Sequence, residues 1–208
     1  MYLGRIVSVG LTLENKMTLM YRVSSRSFPN RIIRKINDAL AVIPASGFET
    51  DIYQNPYISY NCLRADQQYA VVGNGTHTDP VFEKLQSGMS MRDALCSVLF
   101  AMDYEHDSLN TPRIAAIADR GNTTAALGVV RPQGIEVQEF SLQPGCYRYI
   151  STYEHCFIND YYAGSGLQLT SATQASEFIL SSGVFSEFSH PVAAAAAFET
   201  DDGFSFSQ

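Results

Sequence analysis

The chain has 208 residues, 46% of them hydrophobic and 17% charged, a balance that builds a packed core and excludes a disordered polymer. Its net charge of −7 speaks against general binding to nucleic-acid polymers or anionic membranes, and no apolar run approaches the ~20 residues of a membrane helix. Four cysteines (Cys62, Cys96, Cys146, Cys156) form no C-x-x-C pair, so free thiols in a reducing cytoplasm are expected rather than a disulfide framework.

Taken in chain order, the opening MYLGRIVSVG alternates polar and apolar residues and reads as a strand over 2–11, not as a signal peptide. Further short runs rich in Val, Ile and Tyr predict strands over 17–24, 39–44, 57–63 and 68–73. Helical signals follow. Asp79-Pro80 starts a helix that Gly88 closes, and Ser90 with Asp93 boxes the start of the next. In that second helix Met91, Ala94, Leu95, Val98, Leu99 and Met102 make one apolar stripe. Strands resume at 113–119, 124–130, 134–140 and 146–153; a helix runs from Ser171 to Gly183, and Pro191 is read as starting another through the alanine run 193–197. Strands, helices, strands, helices give an α+β class with two sheets covered by helices, in one domain spanning 1–208.

Charge is unevenly spread. Residues 1–35 carry seven basic groups (Arg5, Lys16, Arg22, Arg26, Arg31, Arg34, Lys35) against Glu14 alone, and the remainder carries seven basic against twenty acidic residues. A basic cluster on an acidic chain fits a small anionic ligand better than a polyanion. The segment YRVSSRSFPNR at 21–31 adds hydroxyls to Arg forks, the composition of a phosphate pocket. The alternative is a solvated loop whose arginines pair with surplus carboxylates, and composition does not choose between them. NGTH at 74–77 offers a turn and a helix start to an anion, or is simply a strand-to-helix turn. AMDYEHDSLNTPR at 101–113 places Asp103, Tyr104, Glu105, His106 and Asp107 just past a helix C-terminus, where the dipole raises a carboxylate's pKa and favours acid–base work. An exposed acidic loop is the plainer reading, favoured for Asp107. No metal-ligand spacing, nucleophile elbow or P-loop is present, and Cys62 reads as a buried, inert thiol.

MYLGR, YRVSSRSFPNR, NPYISYNC (55–62), NGTHTD (74–79), AMDYEHDSLNTPRIAA (101–116), YISTYE (149–154) and HPVAAAAAF (190–198) together resemble the archaeal IMP cyclohydrolase family, in order and over nearly the whole chain. The resemblance implies an N-terminal-nucleophile-hydrolase-like fold, a four-layer α-β-β-α sandwich, without that superfamily's terminal nucleophile, since Met and Tyr occupy positions 1 and 2. It implies closure of 5-formamidoimidazole-4-carboxamide ribonucleotide to IMP and water, the last step of purine biosynthesis, with no metal, folate or redox cofactor. It assigns the catalytic roles to Arg31 and Glu105, Glu105 moving the proton and Arg31 holding the formyl oxygen. Arg22 and Arg26, with Ser24 or Ser27, would hold the phosphate; Tyr60, Asn61 and Asn74 would read the carboxamide or ribose; Thr111 and Arg113 would complete the pocket, with His77 and Tyr104 as further binding residues. The implied partner is a small nucleotide, without polymer or membrane, in the cytoplasm, and a homo-oligomer is left open. The competing classes are a non-catalytic nucleotide sensor on the same fold and an amidohydrolase using Cys62 or a serine.

Overall fold

In the computed structural model, which describes residues 1–208, the elements are β1 (Ile6–Leu11), β2 (Met17–Ser24), β3 (Arg31–Ile36), β4 (Ala39–Pro44), α1 (Asp51–Gln54), β5 (Tyr60–Ala65), β6 (Tyr69–Gly73), α2 (Thr78–Gln86) and α3 (Met91–Met102). There follow β7 (Arg113–Asp119), β8 (Thr124–Arg131), β9 (Gly134–Ser141), β10 (Cys146–Ser151), β11 (Ala163–Ser165), α4 (Ala172–Ser181), β12 (Pro191–Thr200) and β13 (Gly203–Ser207). The class is α+β with two antiparallel sheets, ordered β11-β10-β1-β2-β12-β13 and β3-β4-β5-β6-β7-β8-β9.

Strand alternation decides where each side chain goes. In β2, Leu19, Tyr21 and Val23 turn into a core shared by both sheets, together with Val7 and Val9 of β1 and Ile114, Ala116 and Ala118 of β7. Met20 points the other way, into a second cluster with Ala175 and Ile179 of α4. On the far face of the seven-stranded sheet, Ala115 and Ile117 pack with Val81 and Phe82 of α2 and Leu95 and Leu99 of α3. The middle strands are buried on both faces, which is why β1 and β2 are buried at every position and read as nearly unbroken apolar runs.

The alanine run departs from expectation. Residues 193–197 lie in β12, not in a helix, paired with β2 on one side and β13 on the other. Alanine favours helices intrinsically, but packing overrides propensity. Ala195 and Ala197 face the inter-sheet core and Ala194 and Ala196 face α4, so both covers can approach a strand of small side chains. Pro191 is the first strand residue, beside a register shift, where its missing N–H costs least. Three further strands lie outside the expected set. The basic residues of β3 mask an edge strand, β11 is only three residues long at the edge of the six-stranded sheet, and β13 hides in the Phe/Ser-rich end, where Phe204 and Phe206 pack inward.

Arg22, expected at a phosphate, is instead wholly buried on the α4 side of β2. Its Nη1 donates to the Phe185 carbonyl at 2.7 Å and the Ile179 carbonyl at 3.5 Å, its Nη2 to the Phe188 carbonyl at 2.5 Å and its Nε to Ser24 Oγ at 3.0 Å. A cation is well placed among carbonyls at a helix C-terminus. Ser24, also assigned to phosphate, is likewise buried and occupied by Arg22. Strand alternation explains both, because a residue beside an inward-facing Tyr21 must face outward. Arg22→Met should therefore destabilise the protein by on the order of 3 kcal/mol or more, since several buried acceptors lose their donor at once. Equilibrium denaturation in urea measures this.

Candidate active site

The start of β1, the end of β2, the start of β5, the end of β6, the start of β7 and the end of β10 meet at one end of the two sheets. There Tyr21 of one sheet and Tyr60 of the other join hydroxyls at 2.5 Å. Burial raises the pKa of both phenols, so both keep their protons at neutral pH.

Glu105 lies beside them in the loop after α3. The helix ends at Met102, Asp103 takes a positive φ of 54°, and the Glu105 amide donates to the Thr111 carbonyl at 2.8 Å. Its side chain has no exposed surface. Arg5 Nη2 donates to Glu105 Oε2 at 2.8 Å, and Arg113 Nη1 lies 3.8 Å from Oε1. Burial raises the Glu105 pKa above the ordinary carboxylate range, while Arg5 and Arg113 oppose the rise. The direction is the one expected from sequence, but its cause is desolvation and not the helix terminus. Arg31 is nearly buried at the start of β3, its Nε donating to the Phe28 carbonyl at 3.1 Å. Burial lowers its pKa while the Tyr60 hydroxyl opposes that. Arg5, Arg31, Tyr60, Glu105 and Arg113 are thus brought together from five segments.

Thr111 Oγ1 reaches Asp107 Oδ2 at 2.8 Å and the Tyr153 hydroxyl at 3.0 Å, tying the Glu105 loop down. Arg113 Nε donates to the Asp103 carbonyl at 2.8 Å, and its guanidinium lies over the Tyr57 ring. His77 is buried, with Nε2 at 2.9 Å from the Ile114 carbonyl. Arg26 and Ser27 are exposed at the rim, Arg26 lying 4.1 Å over the ring of Tyr2, which stacks in turn on Tyr153.

Three expected site residues are elsewhere engaged. Asn74 spends both ends of its amide on backbone, accepting from Ile114 N at 2.7 Å and donating to the Pro112 carbonyl at 2.9 Å, so it clamps the start of β7. Asn61, next to the inward-facing Tyr60, faces the opposite side of β5 and donates to Asp79 at 3.0 Å. Tyr104 packs on His106 and lines a surface hollow with Phe100 and Pro132. Cys62 donates its thiol to the Leu40 carbonyl, and burial pushes its pKa up, the opposite of an activated nucleophile. Arg5, Tyr21 and Tyr153 were not singled out from sequence. The signal available for Arg5 was Gly4, whose φ of 70° and close approach to Thr152 and Tyr153 mark a turn that leads into β1.

A family model described as IMP cyclohydrolase-like protein matches residues 2–203. The chain belongs to the IMP cyclohydrolase-like family. Among its relatives, the protein named IMP cyclohydrolase from Methanosphaera stadtmanae is 48% identical over 205 residues, covering 97% of this chain and 96% of that one. Those of the same name from Methanocaldococcus jannaschii and Methanocella arvoryzae are 42% and 41% identical, each covering 98% of this chain and 96% of its own length. No helix in this family member is long and apolar enough to cross a membrane.

Burial and Arg113 hold the His77 pKa down to about 3, against an ordinary 6.5. The unfolded chain therefore takes up this proton first as pH falls. The stability His77 contributes is complete above pH 6.5 and is lost toward pH 3, at up to about 1.4 kcal/mol per pH unit. Glu105 has the opposite sign, since a raised carboxyl pKa favours the folded state at low pH and loses that contribution as pH rises through the folded value. Urea denaturation at pH 7 and pH 5 should show wild type losing about 2 kcal/mol more than His77→Gln.

Proposed function

We propose that this protein is an IMP cyclohydrolase, closing the pyrimidine ring of 5-formamidoimidazole-4-carboxamide ribonucleotide to give IMP and water. The observation that carries this is Glu105, a carboxylate without solvent contact, held through one oxygen by Arg5 and flanked by Arg113 at the end of the sheets where Arg31 and Tyr60 also lie. The shared name of relatives aligned over the full domain supports it.

The reacting groups are on one molecule, so fixing the rotamer that brings them together removes much of the barrier. Glu105 takes a proton from the carboxamide nitrogen as that nitrogen attacks the formyl carbon and passes it to the formyl oxygen. It then moves the formamido N–H proton to the resulting hydroxyl, which leaves as water as the ring C=N bond forms. Arg31 stabilises charge on the formyl oxygen. Tyr60 and Arg113 position the carboxamide. Arg26 and Ser27, free at the rim, hold the phosphate in place of the withdrawn Arg22 and Ser24. A nucleotide sensor has no use for a buried carboxylate, whose charge repels an anionic ligand. The two covered sheets are read as one domain, 1–208, of the four-layer N-terminal-nucleophile-hydrolase-like kind, acting in the cytoplasm on a small nucleotide.

Incubation with the formamido ribonucleotide, with IMP followed by absorbance, tests the reading, and no IMP would end it. Glu105→Gln should lower kcat by ~10²–10⁴-fold. Arg31→Lys should lose less, keeping charge but not the planar fork. Arg5 holds the Glu105 pKa down, so Arg5→Met should raise it further and move the acidic limb of the kcat/KM profile to higher pH. Calorimetry should show that Arg26→Ala weakens binding of IMP and leaves that of its nucleoside unchanged.

A further inference from the structure

Four buried side-chain atoms at this site have no hydrogen-bond partner in the chain: Arg5 Nε, His77 Nδ1, Glu105 Oε1 and Arg113 Nη1. The last three converge. A Cβ placed on Gly75 would lie 2.6 Å from Arg113 Nη1, 3.2 Å from His77 Nδ1 and 3.3 Å from Glu105 Oε1. Gly75 has no Cβ, and that lets a loop residue, the Glu105 loop and β7 bring polar atoms around one point.

Their hydrogen-bonding characters are determined by their surroundings. The Ile114 carbonyl can only accept, so the proton of the neutral His77 ring is on Nε2 and Nδ1 presents a lone pair. Glu105 Oε1 accepts and Arg113 Nη1 donates. The set is two acceptors and one donor, and leaving such groups unpaired costs about 1–3 kcal/mol each. A water molecule, which can donate twice and accept once, completes it. A primary amide has the same pattern, but the substrate's carboxamide comes to Glu105 only in the complex, and in the ligand-free protein, where His77 and Glu105 have no exposed surface, a water is the occupant that fits.

We propose that these three atoms bind one buried water, and that through it His77 acts as a positioning residue for Glu105. Arg5 holds Oε2 and the water holds Oε1, so the carboxylate is fixed in one plane while a lone pair stays free for the reaction. The charged and titratable groups around Glu105 are Arg5 before β1, Arg113 of β7, Asp107 of its own loop and His77. This rests on the reading of Glu105 as the proton-transfer group.

His77→Gln keeps a donor for the Ile114 carbonyl and removes the lone pair at Nδ1. It should leave KM unchanged and lower kcat by about tenfold or more, toward the ~10²-fold that an ångström of misplacement can cost, with a displaced acidic limb of the pH profile. His77→Asn, which presents an oxygen near the Nδ1 position, should recover part of that loss. A high-resolution crystal structure of the ligand-free protein should show the water within hydrogen-bond distance of all three atoms. Unchanged kcat and pH limb in folded His77→Gln would overturn the proposal, as would a structure with no water there. A rise in KM with kcat intact would overturn it in favour of the substrate's amide as the occupant. If Glu105→Gln keeps full turnover, the catalytic reading of Glu105 fails instead, and the crystallographic water remains a separate result.

Discussion

A carboxylate without solvent contact stays charged only where a cation and fixed hydrogen bonds replace its water, and the contact between Arg5 and Glu105 supplies both. The two residues are a hundred positions apart, one leading into the first strand and the other in a loop after the second long helix. For them to meet at 2.8 Å, β1 must lie beside the ends of β2 and β10 in one sheet, and α3 must pack on the other sheet so that its C-terminal loop swings over the sheet ends. Thr111, Asp107 and Tyr153 then hold that loop closed. The pair is dear to desolvate, and such a cost persists where a charge has work to do.

Much of the fold was legible because the chain advertises its periods. The α3 stripe, its Ser90 cap and the strand runs of β1, β2, β7 and β8 agree with their observed spans to within a few residues. What escaped was set by packing. An alanine run carries no period, and only its neighbours on both faces make β12 a strand. β3 went unread because its Arg31, Arg34 and Lys35 were counted in a basic cluster, whereas edge strands carry charge for reasons of their own.

The same division runs through the site. Arg31, Glu105, Arg113, Thr111 and His77 stood in stretches rich in polar chemistry, and the structure gathers them at one end of the sheets. Arg22, Asn61 and Asn74 stood in the same stretches and were diverted. Arg22 and Asn61 each follow an inward-facing tyrosine, and strand geometry sends neighbours to opposite faces. Asn74 is consumed by two backbone groups that β7 leaves unpaired at its start. Tyr21 was overlooked because a tyrosine in an apolar strand looks like core, which in part it is.

Tyr21 and Arg22 show how much rests on a single step along the chain. One faces the other sheet with its hydroxyl on Tyr60; the next is threaded among the carbonyls that follow α4. Insertion or loss of one residue in β2 ahead of them would exchange their faces, driving a guanidinium into the apolar seam between the sheets and a phenol into a nest of carbonyls that needs several donors. The strand therefore carries a frame-check: only one alignment satisfies both neighbours, and any slipped pairing during folding is rejected from both sides at once.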